Sequence, residues 1–232
     1  MRHRPTAPRD RLVVALDFPD RDSALRLVER VGDAVSMFKV GKQLFTAEGP
    51  AIVRELAGRR IFLDLKFHDI PNTVAGAIRA ATSLGVALAN VHATGGEAML
   101  RAAAGAAAGS ETAILAVTVL TSLDQQQLQA VGFHESPEAL VLRLARLALE
   151  CGLDGVVAGA TEVARLRREL GSDFLILVPG IRLDLADRQD QSRVATPAQA
   201  IQDGADYIVV GRPITQAPDP AGVAFQILEM LE

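Results

Sequence analysis

Short runs of apolar residues alternate with longer amphipathic segments along the whole chain. Eight runs have the length and composition of β-strands, and a segment with the helical spacing of apolar residues follows each of them. The predicted strands are 12–16, 35–40, 61–65, 87–92, 113–119, 155–158, 174–178 and 207–210. The predicted helices are 20–31, 43–56, 72–84, 97–108, 137–150, 162–170, 196–203 and 220–231, with a polar insertion at 125–132. The pattern therefore predicts eight successive strand-then-helix units.

The predicted strands are apolar along their length rather than alternating, which is typical of a parallel sheet covered on both faces. Eight such units close most naturally into a TIM (β/α)8 barrel, a fold that takes roughly 200–400 residues. An open doubly wound sheet is the alternative, but no Gly-x-Gly-x-x-Gly fingerprint follows the first strand. We predict one α/β barrel domain over residues 1–232, with residues 1–10 as a frayed lead-in.

Composition excludes several classes of function. A hydrophobic content of 49% argues against disorder, and a net charge of -4 argues against a nucleic-acid surface. No apolar run reaches the roughly 18–20 residues that span a bilayer, and the Arg-rich start lacks the apolar stretch of a signal peptide. The single cysteine, Cys151, excludes a disulfide framework. We expect a cytoplasmic protein that binds neither nucleic acid nor membrane.

The most informative stretch is 61–73, where an apolar strand runs into Asp64, Lys66 and Asp69. Side chains alternate faces along a strand, so Asp64 and Lys66 share one face, roughly 6–7 Å apart. A lone Asp-x-Lys at a strand end is more often a surface ion pair. Three charged groups followed at once by Ile-Pro-Asn-Thr, which opens a helix, favour a functional site instead.

Polar residues also follow the other strands. The catalytic groups of a TIM barrel lie at the carboxyl ends of its strands. Six of the eight predicted strands end in such residues: Asp17, Lys39, Asp64 with Lys66, His92, Thr121, and Gly211 with Arg212. Lysines placed among carboxylates are held as ammonium groups, and an ammonium beside a substrate can donate a proton.

The ends of the last two strands indicate a phosphate site. Gly180 follows the seventh strand, and Gly211 with Arg212 follows the eighth, which supplies backbone N–H groups and a guanidinium. Two ordinary glycine turns beside a surface arginine are the alternative. The polar segment 182–195 is long for a βα connection. We expect it to close over a ligand as a lid, with Arg182 and Gln191 reaching inward.

Other polar residues carry weaker predictions. His68 and His92 lack further Asp, Glu or His residues at ligand spacing, so we interpret both as structural and expect no metal site. Asn72 and Thr73 are placed to cap the helix that follows the third strand.

These residues together resemble the orotidine 5′-phosphate decarboxylase family over nearly the whole chain. The matching segments are Ala-Leu-Asp17, Phe-Lys39-Val-Gly, Asp64-Leu-Lys66-Phe-His-Asp69-Ile-Pro-Asn-Thr73, Val-Thr-Val-Leu-Thr121-Ser, Pro-Gly-Ile-Arg182, Gln191 and Val-Gly211-Arg212-Pro-Ile. The resemblance implies cofactor-free decarboxylation of orotidine 5′-monophosphate to uridine 5′-monophosphate in de novo pyrimidine synthesis. It also implies a homodimer with active sites at the interface.

The resemblance implies roles for the charged residues. Lys66 would protonate the carbanion left at C6 when CO2 departs, and Asp64 would lie near the departing carboxylate. Lys39 would hold this array while touching the ribose, and Asp17 would bind ribose hydroxyls. Three residues would come from the partner subunit: Asp69, which we also count as catalytic, with Ile70 and Thr73. The remaining positions would bind base and phosphate: Thr121 the pyrimidine, Gln191 both groups, and Arg182, Gly211 and Arg212 the phosphate.

Two alternatives remain open. Metal-dependent sugar-phosphate lyases of the same superfamily share Asp-x-Lys-x-x-Asp, but carry an acid near the end of the second strand, where this chain has Lys39. A catalytically silent barrel that binds phosphosugars is the other. The set of Asp64, Lys66 and Asp69 argues against it, because a binding protein has no need of a paired proton donor.

Overall fold

The computed structural model describes residues 4–183 and 195–231. Eight parallel strands form a closed barrel in chain order, with the first strand paired to the eighth. The strands are β1 (Leu12–Leu16), β2 (Met37–Gly41), β3 (Arg60–Phe67), β4 (Leu88–His92), β5 (Ala113–Val117), β6 (Gly155–Val157), β7 (Leu175–Val178) and β8 (Tyr207–Val210). The predicted TIM barrel is confirmed.

Helices surround the barrel, and proline begins several of them. Pro71, Pro137, Pro197 and Pro220 each occupy a first helical position, where the missing N–H has no intrahelical partner to lose. The α-helices are α1 (Pro8–Arg11), α2 (Arg21–Val31), α3 (Lys42–Glu48), α4 (Ala51–Glu55), α5 (Pro71–Ser83), α6 (Gly96–Ala107), α7 (Gln125–Ala130), α8 (Pro137–Glu150), α9 (Val163–Leu170), α10 (Pro197–Gln202), α11 (Arg212–Thr215) and α12 (Pro220–Glu229). None of the helices in these described ranges is long and apolar enough to cross a membrane.

Two helical regions differ from the prediction. The expected helix over 43–56 is divided into α3 and α4, because Gly49 has a positive φ of 63° and Pro50 follows it. The insertion at 125–132 contains α7, which a capping box stabilises. The Asp124 side chain accepts a hydrogen bond from the Gln127 N–H, and the Gln127 side chain accepts one from the Asp124 N–H.

The apolar residues form two layers. One lies inside the barrel and includes Phe62, Leu88 and Tyr207, all fully buried. The larger layer lies between the strands and the surrounding helices. Both faces of the strands are therefore buried over most of their length, which explains why the strand sequences are mainly apolar.

Residues 4–10 belong to the segment that we expected to be a frayed lead-in, and several of them contact the barrel. Arg4 donates from Nε to Asp206 Oδ1 at 2.8 Å and from Nη2 to the Phe174 carbonyl at 3.2 Å. Pro5 is buried, and residues 8–11 form α1. A buried carboxylate at the amino end of the barrel thus anchors a segment whose sequence has no apolar periodicity.

Candidate active site

A cavity of about 790 Å³ opens at the carboxyl ends of the barrel strands. Eight of the predicted site residues line it, and they come from both halves of the chain: Asp17, Lys39, Asp64, Lys66, Thr121, Arg182, Gly211 and Arg212. Closure of the barrel brings them together, because the carboxyl ends of parallel strands face the same side.

The lysines and aspartates of β1, β2 and β3 form an alternating array. Lys39 Nζ lies 2.7 Å from Asp17 Oδ1 and 3.5 Å from Asp64 Oδ2. Lys66 Nζ lies 2.5 Å from Asp64 Oδ1. The side chains of Lys39 and Asp64 are only 10% and 12% exposed, whereas that of Asp17 is 60% exposed. Limited contact with water strengthens the inner pairs, since charges interact more strongly at lower dielectric.

The backbone of β3 is irregular where it carries these charges. Leu63 pairs with Ala89 of β4, but the next paired position is Phe67 with Val91, so the β3–β4 register shifts. Lys66 lies within this bulge at φ 53°, the one non-glycine residue in the described part of the chain with positive φ. Such a conformation is costly for a lysine and persists only where its surroundings hold it.

Asn90 of β4 is a site residue that the sequence interpretation missed. It is fully buried; its Nδ2 donates to Asp64 Oδ1 at 2.7 Å, and its Oδ1 accepts from the Lys66 N–H at 2.8 Å. One indication was available, because Asn90 is a lone amide within the apolar strand 87–92.

Gly41 ends β2 beside the array and was likewise not among the predicted site residues. A Cβ at this position would lie 2.8 Å from Asp17 Oδ1 and 3.0 Å from Lys39 Nζ. The absent side chain therefore leaves the space that the Asp17–Lys39 ion pair occupies.

His92 and His68 lie next to each other near the array, with ring centroids 5.4 Å apart. Burial, reinforced by the nearby His68, Lys42 and Lys66, lowers the pKa of His92 to about 4, while Asp64 opposes the shift. His92 is therefore neutral at physiological pH. Among residues 4–183 and 195–231, no group of three His, Cys, Asp or Glu side chains is arranged to hold a metal ion.

The opposite side of the cavity carries the predicted phosphate residues. Gly180, which has a φ of 78°, lines it after β7, and Gly211 and Arg212 line it after β8. Arg182 is 5% exposed; its N–H donates to the Ala195 carbonyl at 3.0 Å. Gln191 lies outside the described residues, as does most of the predicted lid.

Asp69, Ile70 and Thr73 do not line this cavity. Asp69 Oδ1 accepts from the Ile70 N–H at 2.6 Å, Ile70 is 67% exposed, and Thr73 is exposed at the start of α5. The expected caps from Asn72 and Thr73 are wrong, because Ile70 occupies the N-cap position and no side chain caps this helix. All three residues are exposed to solvent.

The fold and the site together define a TIM barrel with a lysine–aspartate array on one side of its mouth and glycine–arginine groups on the other. The sequence profile of the Orotidine 5'-phosphate decarboxylase / HUMPS family matches residues 10–227. The chain belongs to this family, as the resemblance indicated.

Individual relatives agree with this assignment. The orotidine 5'-phosphate decarboxylase of Nitrosospira multiformis is 53% identical over 213 residues, which cover 91% of this chain and 89% of the relative. The orotidine 5'-phosphate decarboxylase of Moorella thermoacetica is 51% identical, and the match covers 97% of this chain and 93% of the relative. A crystal structure of the orotidine 5'-phosphate decarboxylase from Lactobacillus acidophilus superposes with a TM-score of 0.85 at 36% identity, covering 95% of this chain and 98% of that one.

Proposed function

We propose that this protein decarboxylates orotidine 5′-monophosphate to uridine 5′-monophosphate in de novo pyrimidine synthesis. Relatives that share about half of its residues over nearly the full chain carry that name. The observation that carries the proposal is the array in which Asp64 pairs with both Lys39 and Lys66 inside the cavity. The names of these relatives, together with this array, support the loss of CO2 from a ring carbon.

Lys66 is the proposed proton donor. The departure of CO2 leaves negative charge at C6 of the pyrimidine, where no adjacent group can accept the electron pair. A fixed ammonium stabilises that charge as it develops and then transfers a proton to the carbon. The Lys66 side chain is 24% exposed and lines the cavity, so it can contact a substrate while still bonded to Asp64.

The other charged groups hold this donor in place. Asp64 accepts from Lys66 and lies 3.5 Å from Lys39 Nζ, and we assign it the position beside the departing carboxylate. Repulsion between the two carboxylates would be relieved as CO2 leaves. We assign Lys39 and Asp17 to the ribose, as the resemblance to the family implies, and the Asp17 side chain, 60% exposed, is accessible to a ligand.

The remaining cavity residues would bind the rest of the nucleotide. We assign Arg182, Gly211 and Arg212 to the phosphate and Thr121 to the base. An arginine and backbone N–H groups suit phosphate oxygens. Gln191 is assigned to both groups, although it lies outside the described residues. Binding energy from the phosphate end can be used in the transition state at the distant ring.

The reaction proposed here uses no metal or organic cofactor. Lys39 Nζ contacts both Asp17 and Asp64, so an ammonium already occupies the space between the two carboxylates that a divalent cation would otherwise bridge. This arrangement favours the decarboxylase over the metal-dependent lyases of the same superfamily.

The active unit that we propose is a homodimer. Asp69, Ile70 and Thr73 lie just beyond β3 and are exposed to solvent, and Ile70 is a large apolar side chain that is 67% exposed. A twofold interface uses the same patch on both chains, and we propose that one covering Ile70 brings Asp69 and Thr73 to the mouth of the neighbouring barrel, as the resemblance implies.

The experiment is an assay of purified protein with orotidine 5′-monophosphate in excess EDTA, followed by absorbance and by product chromatography. We expect uridine 5′-monophosphate to form at the same rate in the presence and in the absence of EDTA.

A variant tests the proposed proton donor. Lys66→Ala should lower kcat by about 1,000-fold, while Arg54→Ala, which removes an exposed cation on α4, should leave kcat unchanged. Near-normal turnover by Lys66→Ala would contradict the donor role. Activity that EDTA abolishes and Mg²⁺ restores would favour the lyase alternative.

Subunit mixing tests the shared site. Lys66→Ala and Asp69→Ala homodimers should each be inactive, but a mixed dimer would contain one site with both native residues. With random exchange, about a quarter of wild-type activity should return. If native mass spectrometry verifies exchange and no activity returns, the two residues do not serve one site across an interface.

A further inference from the structure

We infer that Asn90 is the positioning residue for Lys66 and Asp64, and that it acts by completing the irregular ladder between β3 and β4. The inference deepens the proposed decarboxylase function and rests on it for its kinetic tests. The contacts themselves are independent of any substrate.

The register shift leaves a gap that Asn90 fills. Between the paired positions Leu63–Ala89 and Phe67–Val91, β3 has three residues where β4 has one, and that one is Asn90. A bulge residue loses its regular ladder partner, and a buried N–H without a partner is costly. The Lys66 N–H instead donates to the Asn90 side chain, Oδ1, at 2.8 Å.

The other half of the amide fixes the carboxylate. Asn90 Nδ2 donates to Asp64 Oδ1 at 2.7 Å, the same oxygen that accepts from Lys66 Nζ. The orientation of the amide follows from its partners, because only its oxygen can face an N–H and only its nitrogen can donate to a carboxylate. One buried side chain therefore holds the backbone of the proposed proton donor and the carboxylate that pairs with it.

Neither aspartate nor alanine can replace Asn90 in this role. Aspartate would add a negative charge, and alanine has no polar group to reach the Lys66 N–H and the Asp64 carboxylate. Asn90 is completely buried, so water does not readily replace it. Lys66 at φ 53° has an unfavourable backbone conformation, which loses its support when the bond to its N–H is lost. Relaxation there would displace Nζ, and a displacement of about 1 Å in a reacting group can lower a rate by about 100-fold.

Kinetics of matched variants test the positioning role. Asn90→Ala should lower kcat by about 10- to 100-fold and change KM by less than about threefold. Thr112→Val is the control, because it removes another buried hydrogen bond, from Thr112 Oγ1 to the Val86 carbonyl at 2.7 Å, before the start of β5. It should lower the melting temperature and leave kcat unchanged. A kcat within twofold of wild type in Asn90→Ala, or an equal loss in the control, would overturn the inference.

The pH profile of Asn90→Asp gives a signature that lost stability alone would not produce. The introduced carboxylate would face Asp64, so the two repel each other and one takes up a proton more readily. Once protonated, it can donate to Asp64 as the native amide does. The kcat of Asn90→Asp relative to wild type should therefore rise as pH falls from about 8 to about 5, and that of Asn90→Ala should not. A flat ratio for Asn90→Asp would contradict the inference.

Hydrogen exchange separates this inference from the function on which it rests. The Lys66 amide should exchange slowly in wild type and at least about tenfold faster in Asn90→Ala, relative to neighbouring β3 amides. If Asn90→Ala does not fold, Asn90→Ser, which is too short to bridge the gap, replaces it in both measurements. Wild-type protein that does not decarboxylate the nucleotide would overturn the proposed function, whereas unchanged Lys66 exchange in the variant would overturn the role of Asn90.

Discussion

Single residues without charge control the geometry of the charged ones in this barrel. Gly41 is an example at the end of β2, where a Cβ would crowd Asp17 and Lys39. We expect Gly41→Ala to separate this ion pair and to lower kcat/KM by about tenfold. Gly105→Ala in α6 is the matched control, since its Cβ would meet no atom within 4 Å. It should retain full activity and add up to about 1 kcal/mol of stability.

The pH dependence of stability is set in part by His92. Its pKa is about 4 in the folded protein, against 6.5 for an ordinary histidine. As pH falls below about 7, His92 becomes protonated in the unfolded chain but stays neutral in the folded protein. Protonation therefore favours the unfolded state, and the free energy of unfolding decreases. Because His92 is only partly buried, solvent weakens the effect, and we expect the free energy of unfolding to decrease by about 1–2 kcal/mol between pH 7.5 and pH 5.

Urea denaturation of a substituted protein tests this coupling. In His92→Gln the fall in unfolding free energy between those two pH values should shrink by about 1–2 kcal/mol. His134→Gln, which changes an exposed histidine, should show the wild-type pH dependence. An identical pH dependence in wild type and His92→Gln would contradict the expectation.

At the scale of elements, β6 depends on a glycine for its contact with β7. A Cβ at Gly155 would overlap the carbonyl oxygen of Leu175, and backbone atoms cannot move aside as a flexible side chain can. Gly155→Ala should therefore force the two strands apart and destabilise the protein by about 2–3 kcal/mol. Urea denaturation at neutral pH measures the effect, and Gly105→Ala again serves as the control. A midpoint equal to that of wild type would show that the strands accommodate the methyl group.

Sequence patterns located most elements because each strand is buried on both faces and each helix on one. The apolar pattern did not predict features that turns and helix caps determine, because such features do not depend on the spacing of apolar residues. The Gly49 turn divides α3 from α4, and the cap at Asp124 forms α7 inside a polar segment. The prediction ended the third strand at residue 65, whereas β3 continues to Phe67, because the bulge inserts charged residues before the ladder resumes.

At the scale of the whole molecule, an ion-pair cluster joins Arg4, near the start of the chain, to Arg167 and Asp206 in its second half. Asp206 accepts from Arg4 Nε at 2.8 Å, from Arg167 Nη2 at 2.7 Å and from the Ile176 N–H at 2.8 Å. Asp206→Ala would leave these donors without their carboxylate and should cost about 3–5 kcal/mol. The kcat of the folded fraction should not change, because the cluster lies at the amino end of the barrel, opposite the site.

The control for this cluster is an exposed pair. Asp33 lies 3.3 Å from Arg59 with its side chain 99% exposed, so Asp33→Ala should change stability by less than about 1 kcal/mol. Urea denaturation compares the two variants. Equal effects would mean that the buried cluster contributes no more than a surface ion pair.

The sequence by itself determined the barrel, the family and the strand-end residues that carry the charges, because burial periodicity and short motifs are local properties of a chain. Only the tertiary structure decided which side chains meet. Asn90 bonds to Asp64 and Lys66 across a register shift, and that shift depends on how two strands pair. Likewise, whether Ile70 is buried or exposed depends on the path of the chain after β3, which spacing along the sequence does not specify.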